Sequence, residues 1–264
     1  MTTATAARVD PVHLARIGKP VTLWTGKSPL TGETVRAVGR LTNNRKTGRA
    51  FGISFYTIEG DGAGCSTCPL RDNGCYAEMG HAGIQSRALP HLAAPILPRS
   101  SWHAAFGCEF VRFGIYGDPA SVPFRILAEL ARYARGTTGY THLWRTVTSD
   151  YARILMASCE TFDDLRSARN MGYRAFLAVL VGRPRDSINP AKHRDTLTTM
   201  KRAIAAERLT DVTVCPNYAS SGRIQCRDCA VGCSGTSHGH IDVIIPSHGV
   251  RAGSSVFHRL SIVN

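Results

Sequence analysis

The sequence predicts an α/β protein built on a parallel sheet, either a partial (βα) barrel or an open sheet, with cysteine-rich loops at the carboxyl ends of its strands. Three observations carry this. Short β-branched and aromatic runs alternate with amphipathic helical stretches, which is the pattern of βαβ units. Several of the runs are apolar throughout, as strands buried on both faces are. Seven of nine cysteines fall into two dense groups, each directly after a predicted strand.

Residues 1–50 read as a polar, turn-rich lead-in, with short strands or irregular structure in "TGKSPLTGETVRAVG" and "LTNNRKTGRA". A single α/β domain over 51–264 follows. "FGISFYTI" (51–58) is the first strand, and the loop with the first three cysteines follows it. "EFVRFGIYG" (109–117) is the next strand; after "DPASVP", the stretch "FRILAELARYARG" (124–136) is a helix with Pro before it and Gly at its end. "THLWRTVTS" (141–149) reads as a third strand, "DYAR" as a helical turn and "ILMASCE" (154–160) as a fourth strand. "TFDDLRSARNMG" (161–172) has a Thr cap, acidic residues in its first turn and a Gly stop, so it is a helix. "YRAFLAVLVG" (173–182) is an apolar strand and "PAKHRDTLTTMKRAIAAER" (190–208) a long amphipathic helix. "DVTVCP" (211–216) and "IDVIIP" (241–246) are the last strands, giving about seven in all. The expected sheet is covered on both faces, with ligands gathered at the strand carboxyl ends.

No apolar run approaches the roughly 18–20 residues of a membrane span, and the N-terminus has no apolar signal core. A cytoplasmic protein without a membrane partner is the expectation. Cytosolic thiols are kept reduced, so clustered cysteines point to metal rather than disulfides. Cys108 and Cys159 stand alone and read as small buried hydrophobes. The net charge of +13 invites a nucleic acid or another polyanion, yet 27 of the 32 basic residues are Arg, which also fits a GC-rich coding sequence.

"GCSTCPLRDNGCYAE" (64–78) places Cys65, Cys68 and Cys75 within eleven residues. Three thiolates are one short of a closed tetrahedral site. Either they hold an open [4Fe–4S] cluster with one iron free, or a zinc site is completed by a residue such as His81 or by a cysteine of the other group. The second group, Cys215, Cys226, Cys229 and Cys233, supplies four thiolates in nineteen residues. Four suit zinc or a cubane cluster, and the short Cys-x2-Cys-x3-Cys run favours the cluster.

Among other polar residues, Asp118 in "VRFGIYGDPASVP" (111–123) reads by itself as a turn residue accepting from local backbone. His142 reads first as a satisfied core histidine and second as a ligand contact at a strand end. His238 and His240 follow the second cysteine group, and His248 lies just past an apolar strand where a site is expected. Asp163 and Asp164 are first-turn helix charges. No nucleophile elbow or phosphate-cradling Gly-Lys loop is present.

Taken in order, a strand, a three-cysteine loop ending in Cys75-Tyr76-Ala77, a second strand and Gly117-Asp118-Pro119 resemble the radical S-adenosylmethionine enzymes. The resemblance implies an open [4Fe–4S] cluster on Cys65, Cys68 and Cys75, with Gly117 and Asp118 holding the methionine end of S-adenosylmethionine. It implies an auxiliary cluster on the second group. The spacing here is Cys-x2-Cys-x6-Cys where the superfamily has Cys-x3-Cys-x2-Cys, and Asp stands where its turn has Glu. The pieces "N-x-KTG", "C-x-x-CPL…GCYAE-x-G", "YGDPASVP", "TH-x-W", "CP…C-x-x-C…C" and "PSHG", spanning 44–249, are similar to a group of phage-encoded cysteine-rich proteins. That likeness implies a phage source and the host cytoplasm, and it supplies no reaction. Two functions follow as expectations: a divergent enzyme of the radical type acting on a nucleic acid or nucleotide, or a non-enzymatic nucleic-acid-binding or regulatory protein stabilised by iron–sulfur or zinc.

Overall fold

The computed structural model describes residues 10–68, 70–71, 75, 94–183, 189–236, 239–247 and 257–261. Two sheets carry the fold. The first has the order β1-β2-β3-β4-β5, from β1 (Val21–Lys27), β2 (Thr34–Asn44), β3 (Gly48–Thr57), β4 (Phe110–Phe113) and β5 (Gly136–Thr138). The second has the order β6-β7-β8-β10-β9, from β6 (Tyr140–Thr141), β7 (Met156–Cys159), β8 (Ala175–Val181), β9 (Val212–Val214) and β10 (Asp242–Pro246), with β11 (His258–Leu260) also on β8. Pairing is parallel from β3 onward in the first sheet and throughout the second. Only Gly139 separates β5 from β6; its N–H donates to the Cys233 carbonyl at 3.1 Å and its carbonyl accepts from Met156 at 3.0 Å.

The expected irregular lead-in is corrected here. Residues 21–44 form a hairpin with a register shift between Thr22 and Trp24; β1 pairs antiparallel with β2 and β2 with β3, so the sheet is mixed. The turn that makes this possible is "KSPLTGE", where the Ser28 hydroxyl accepts from the N–H of Leu30 and Thr31 and Gly32 takes a positive φ. Val21, Leu23, Val35 and Ala37 then alternate into the core.

The expected strand at 141–149 lies earlier in the chain. β5 and β6 cover 136–141, while Thr146 and Val147 turn back to the Leu143 carbonyl. The remaining expected strands and helices are present with shifted ends. The helices are α1 (Pro11–Arg16), α2 (Trp102–Phe106), α3 (Phe124–Tyr133), α4 (Phe162–Asn170), α5 (His193–Ala206) and the single turn α6 (Pro216–Ala219). α4 starts where Thr161 and Asp164 form a reciprocal capping box. Among the described residues, no helix is long and apolar enough to cross a membrane.

Strand parity divides the sheet into two unlike faces. Val111, Phe113, Ala157, Cys159, Leu177 and Val179 join one core with Leu127 and Leu130 of α3, Leu165 of α4 and Met200 of α5. Fully burying each such side chain contributes about 1.5–3 kcal/mol, which commits the helices to this face. The intervening residues Arg112, Tyr140, Ser158, Phe176, Ala178 and Ile245 line cavities instead. The expectation of a sheet covered by helices on both faces is therefore met on one face, while the other takes the cysteine-bearing loops. Of the lone cysteines, Cys159 is buried in the core as expected, whereas Cys108 is exposed at the end of α2 with a positive φ.

Arg174, directly before β8, holds the longer cysteine loop onto this second face. Its buried guanidinium donates to the carbonyls of Val231, Gly232, Ser234 and, twice, Ile241. Arg174→Met strips four carbonyls of their donor at once, so the unfolding free energy should fall by about 3 kcal/mol or more. Urea denaturation measures that loss, and limited proteolysis should show earlier cleavage within 226–236.

Candidate functional site

The first site is built where β3 and β4 end. Backbone bonds stitch the two exits together: Ala63 N–H donates to Phe55 O (3.0 Å), Phe55 N–H to Tyr116 O (2.8 Å) and Asp118 N–H to Ala63 O (2.7 Å). Gly117 has φ +73°, and a Cβ there would stand 2.0 Å from the Phe55 carbonyl oxygen, so this position admits only glycine. Gly62 leaves space for sulfur in the same way, since a Cβ would lie 2.6 Å from Cys65 Sγ.

These exits wall a cavity of about 940 Å³, counted with the solvent at its mouth. Cys65, Cys68 and Cys75 line it together with Gly117, Asp118 and His142. The three sequence-assigned cysteines and the Gly-Asp pair from the next strand thus share one cavity, at the carboxyl end of the parallel strands. Cys65 N–H bonds Gly62 O, Cys68 N–H bonds Cys65 O and Cys75 N–H bonds Leu70 O, which winds the loop around the thiols. Burial pushes the Cys65 thiol up to about 12, and Cys68, Asp118 and Cys75 add like-charge repulsion that Arg71 only partly offsets.

Asp118 does structural work. Its Oδ1 accepts from Ala120 N–H (2.9 Å) and the Thr141 hydroxyl (2.8 Å), and Oδ2 accepts from His142 N–H (2.8 Å). It caps the helical turn Pro119–Ser121 and clamps the end of β6 to the exit of β4. Burial raises its pKa, against the lowering pull of His142 and these three donors.

His142 is more than a core histidine. Its Nε2 lies 3.1 Å from Glu160 Oε1, and it lines the same cavity as Cys68. Burial works to lower its pKa, but Cys68 and Glu160 outweigh burial and hold it well above the ordinary imidazole value.

The second cysteine group lies on the same face but not at the same end. Cys215 follows β9, as expected; the chain then doubles back, so Cys226 N–H bonds Lys46 O (2.9 Å) ahead of β3 and Gly235 N–H bonds Ile154 O (2.8 Å) ahead of β7. The buried Arg174 guanidinium and a Ser234–Thr137 hydroxyl pair at 2.6 Å fix this return. The expectation that both groups sit at the strand carboxyl ends is corrected for Cys226, Cys229 and Cys233. The four thiols remain neighbours: burial pushes Cys233 up to about 12, the Tyr140 hydroxyl opposes this, and Cys215, Cys226 and Cys229 add to it. Burial also raises Cys226, with Lys46 and Arg112 opposing.

A lone tetrahedral ion draws its sulfurs to about 2.3 Å from one point. Among the described residues, no three His, Cys, Asp or Glu converge in that way. His81, His238 and His248 lie outside the described residues, and His240 is exposed. A second cavity, of about 700 Å³ counted likewise with the solvent at its mouth, adjoins the first and is lined by Cys226; Tyr140, Ser158 and Phe176 belong to both. Sequence reading missed these three, and Glu160 and Arg112 with them. The available signal was parity, since each of the strand residues among them alternates with core residues of its strand.

No family model matches the chain, and no curated protein or solved structure is significantly similar to it.

Two outcomes are expected of the clamp around Asp118. Asp118→Asn places a donor against a donor at one of its three bonds and should cost about 1–3 kcal/mol in urea unfolding. Tyr151, whose hydroxyl donates to Val122 O at 2.7 Å, is pushed up to about 12 chiefly by burial, with repulsion from Asp118 and Asp150 adding to it. A raised folded pKa gives stability that is complete below the unfolded tyrosine value near 10 and lost as pH rises towards 12. Tyr151→Phe should therefore flatten the decline in urea midpoint between pH 10 and 12, at a cost of about 1 kcal/mol at neutral pH.

Proposed function

We propose that the chain is an iron–sulfur protein of radical S-adenosylmethionine type, whose open [4Fe–4S] cluster is held by Cys65, Cys68 and Cys75 and whose substrate is a nucleic acid or nucleotide. The observation that supports it most is the shared strand-end cavity, where these three thiols meet Gly117 and Asp118 from the following strand exit. A cubane takes its thiolates at separate corners, so thiols spread around a cavity suit it better than they suit one ion. The parallel run from β3 to β5, resumed across Gly139 by β6 to β8, is the order a partial (βα) barrel would have. Cys215, Cys226, Cys229 and Cys233 would hold a second cluster in their loop, where Cys215 is buried and the other three are half-buried.

Bound in the first cavity, such a cluster supplies one electron and an iron with an open coordination position to S-adenosylmethionine. The chain's own residues orient and enclose. His142, held by Glu160, presents its imidazole to the cavity that Cys68 lines. Gly117 brings backbone close to the cavity without a side chain in the way. Asp118 acts through position, since its carboxylate is engaged by Ala120, Thr141 and His142.

The net charge of +13 favours a second reading, a metal-stabilised nucleic-acid binder without catalysis. Anaerobic purification, iron and sulfide assay, and EPR of the reduced protein separate the two. The enzyme reading expects iron and sulfide together and a signal that changes when S-adenosylmethionine is added. Cys65→Ala, Cys68→Ala and Cys75→Ala should each abolish that change while leaving signal from the second group. Stoichiometric zinc without sulfide overturns the cluster reading. The binding reading expects DNA or RNA affinity that falls steeply with salt and no response to S-adenosylmethionine.

A further inference from the structure

The second cavity is unlike an ordinary gap in a core. Phe176 sits on β8, a strand with neighbours on both sides, yet it remains half-exposed, as does Ala178. Tyr140 packs against Phe176 with ring centroids 4.1 Å apart, so the floor is a continuous aromatic surface. Apolar surface left open within a concavity marks a ligand site more often than a packing fault. At one side stand two cations, Lys46 from the β2–β3 turn and Arg112 from β4. Ser158 and Thr138 add hydroxyls to the lining, that of Thr138 bonded to the Tyr140 hydroxyl.

We infer that this cavity receives a single nucleotide, with the base against Tyr140 and Phe176 and the phosphate toward Arg112 and Lys46. The inference rests on the proposed reading of the neighbouring thiol-lined cavity as the reactive site, and it names that site's substrate. Three features select this class. Planar π-rich rings stack on aromatic side chains whatever their sequence. Arg recognises phosphate through charge-assisted, bidentate hydrogen bonds. The lining residues converge on one concavity, whereas a polynucleotide strand needs an open groove with repeated phosphate contacts. Because Tyr140, Ser158 and Phe176 wall both cavities, a nucleotide lying on them has one edge in the chamber of Cys65, Cys68 and Cys75.

Lys46 and Arg112 also face Cys226, so their charge could serve the thiols alone. Calorimetric titration of the anaerobically purified full chain decides this, with the four ribonucleoside 5′-monophosphates, the four nucleosides and inorganic phosphate as probes. At least one monophosphate should bind about tenfold or more tightly than its nucleoside, with phosphate alone silent. Phe176→Leu should weaken nucleoside and monophosphate alike by about tenfold. Arg112→Gln should weaken only the monophosphate and narrow its advantage over the nucleoside. Ala178→Leu, which narrows the same cavity from another position, should reproduce the loss if Phe176→Leu fails to fold. Absence of binding at millimolar nucleotide, or a monophosphate-to-nucleoside ratio unchanged in Arg112→Gln, overturns the inference. Iron and sulfide present without nucleotide affinity sinks this inference alone; nucleotide affinity in a chain without sulfide sinks the cluster reading alone.

Discussion

A buried carboxylate with three donors holds the site together. Asp118 takes Ala120, Thr141 and His142 at once, and through them it fixes the exit of β4 against the end of β6. The exit of β4 is in turn bonded to the exit of β3 through Ala63 and Tyr116. Three strand ends are thus locked in register, and each contributes a group to one cavity: thiols from the first, a glycine backbone from the second, an imidazole from the third. In a medium of low dielectric such a carboxylate is costly unless its lone pairs are used, and here three are. The charge is retained by geometry, and the geometry is retained by the charge.

The second cysteine loop follows a comparable logic with the signs reversed. Arg174 brings a cation beneath a loop whose carbonyls have no strand to pair with, and satisfies four of them from one planar fork. The loop's glycines and short side chains could not have folded back on hydrophobic burial alone. Both cysteine groups thus lie beside a buried charged side chain, one acidic and one basic, that is bonded mainly to backbone.

Much of the architecture was legible because strands and helices here obey simple periodicities. The capping box at Thr161 and the apolar run 175–181 announce α4 and β8 without any tertiary information. The hairpin of β1 and β2 was hidden by Gly26, Gly39 and polar residues on its outer face, whose pairing shows only once β3 lies alongside. The strand expected at 141–149 was misplaced for a similar reason. "GTTGYT" has too little apolar character to stand out, and its partners β4 and β7 are distant in sequence. At the site, the three thiols and the Gly-Asp turn were visible as types and order. The fold-back of Cys226 to Cys233 was not, because it depends on Arg174, a residue that looks from sequence like an ordinary strand-edge cation. His142 is satisfied, as read, but its partner Glu160 was not legible because it ends a different strand.

The junction at Gly139 has a wider meaning. Neither sheet supplies a partner for its N–H; the carbonyl of a cysteine, Cys233, does. The seam between two β-structures is therefore closed by the backbone of the cysteine-bearing loop that Arg174 holds in place. A shift of that loop's backbone therefore reaches the junction of the two sheets directly, through one bond at a single glycine.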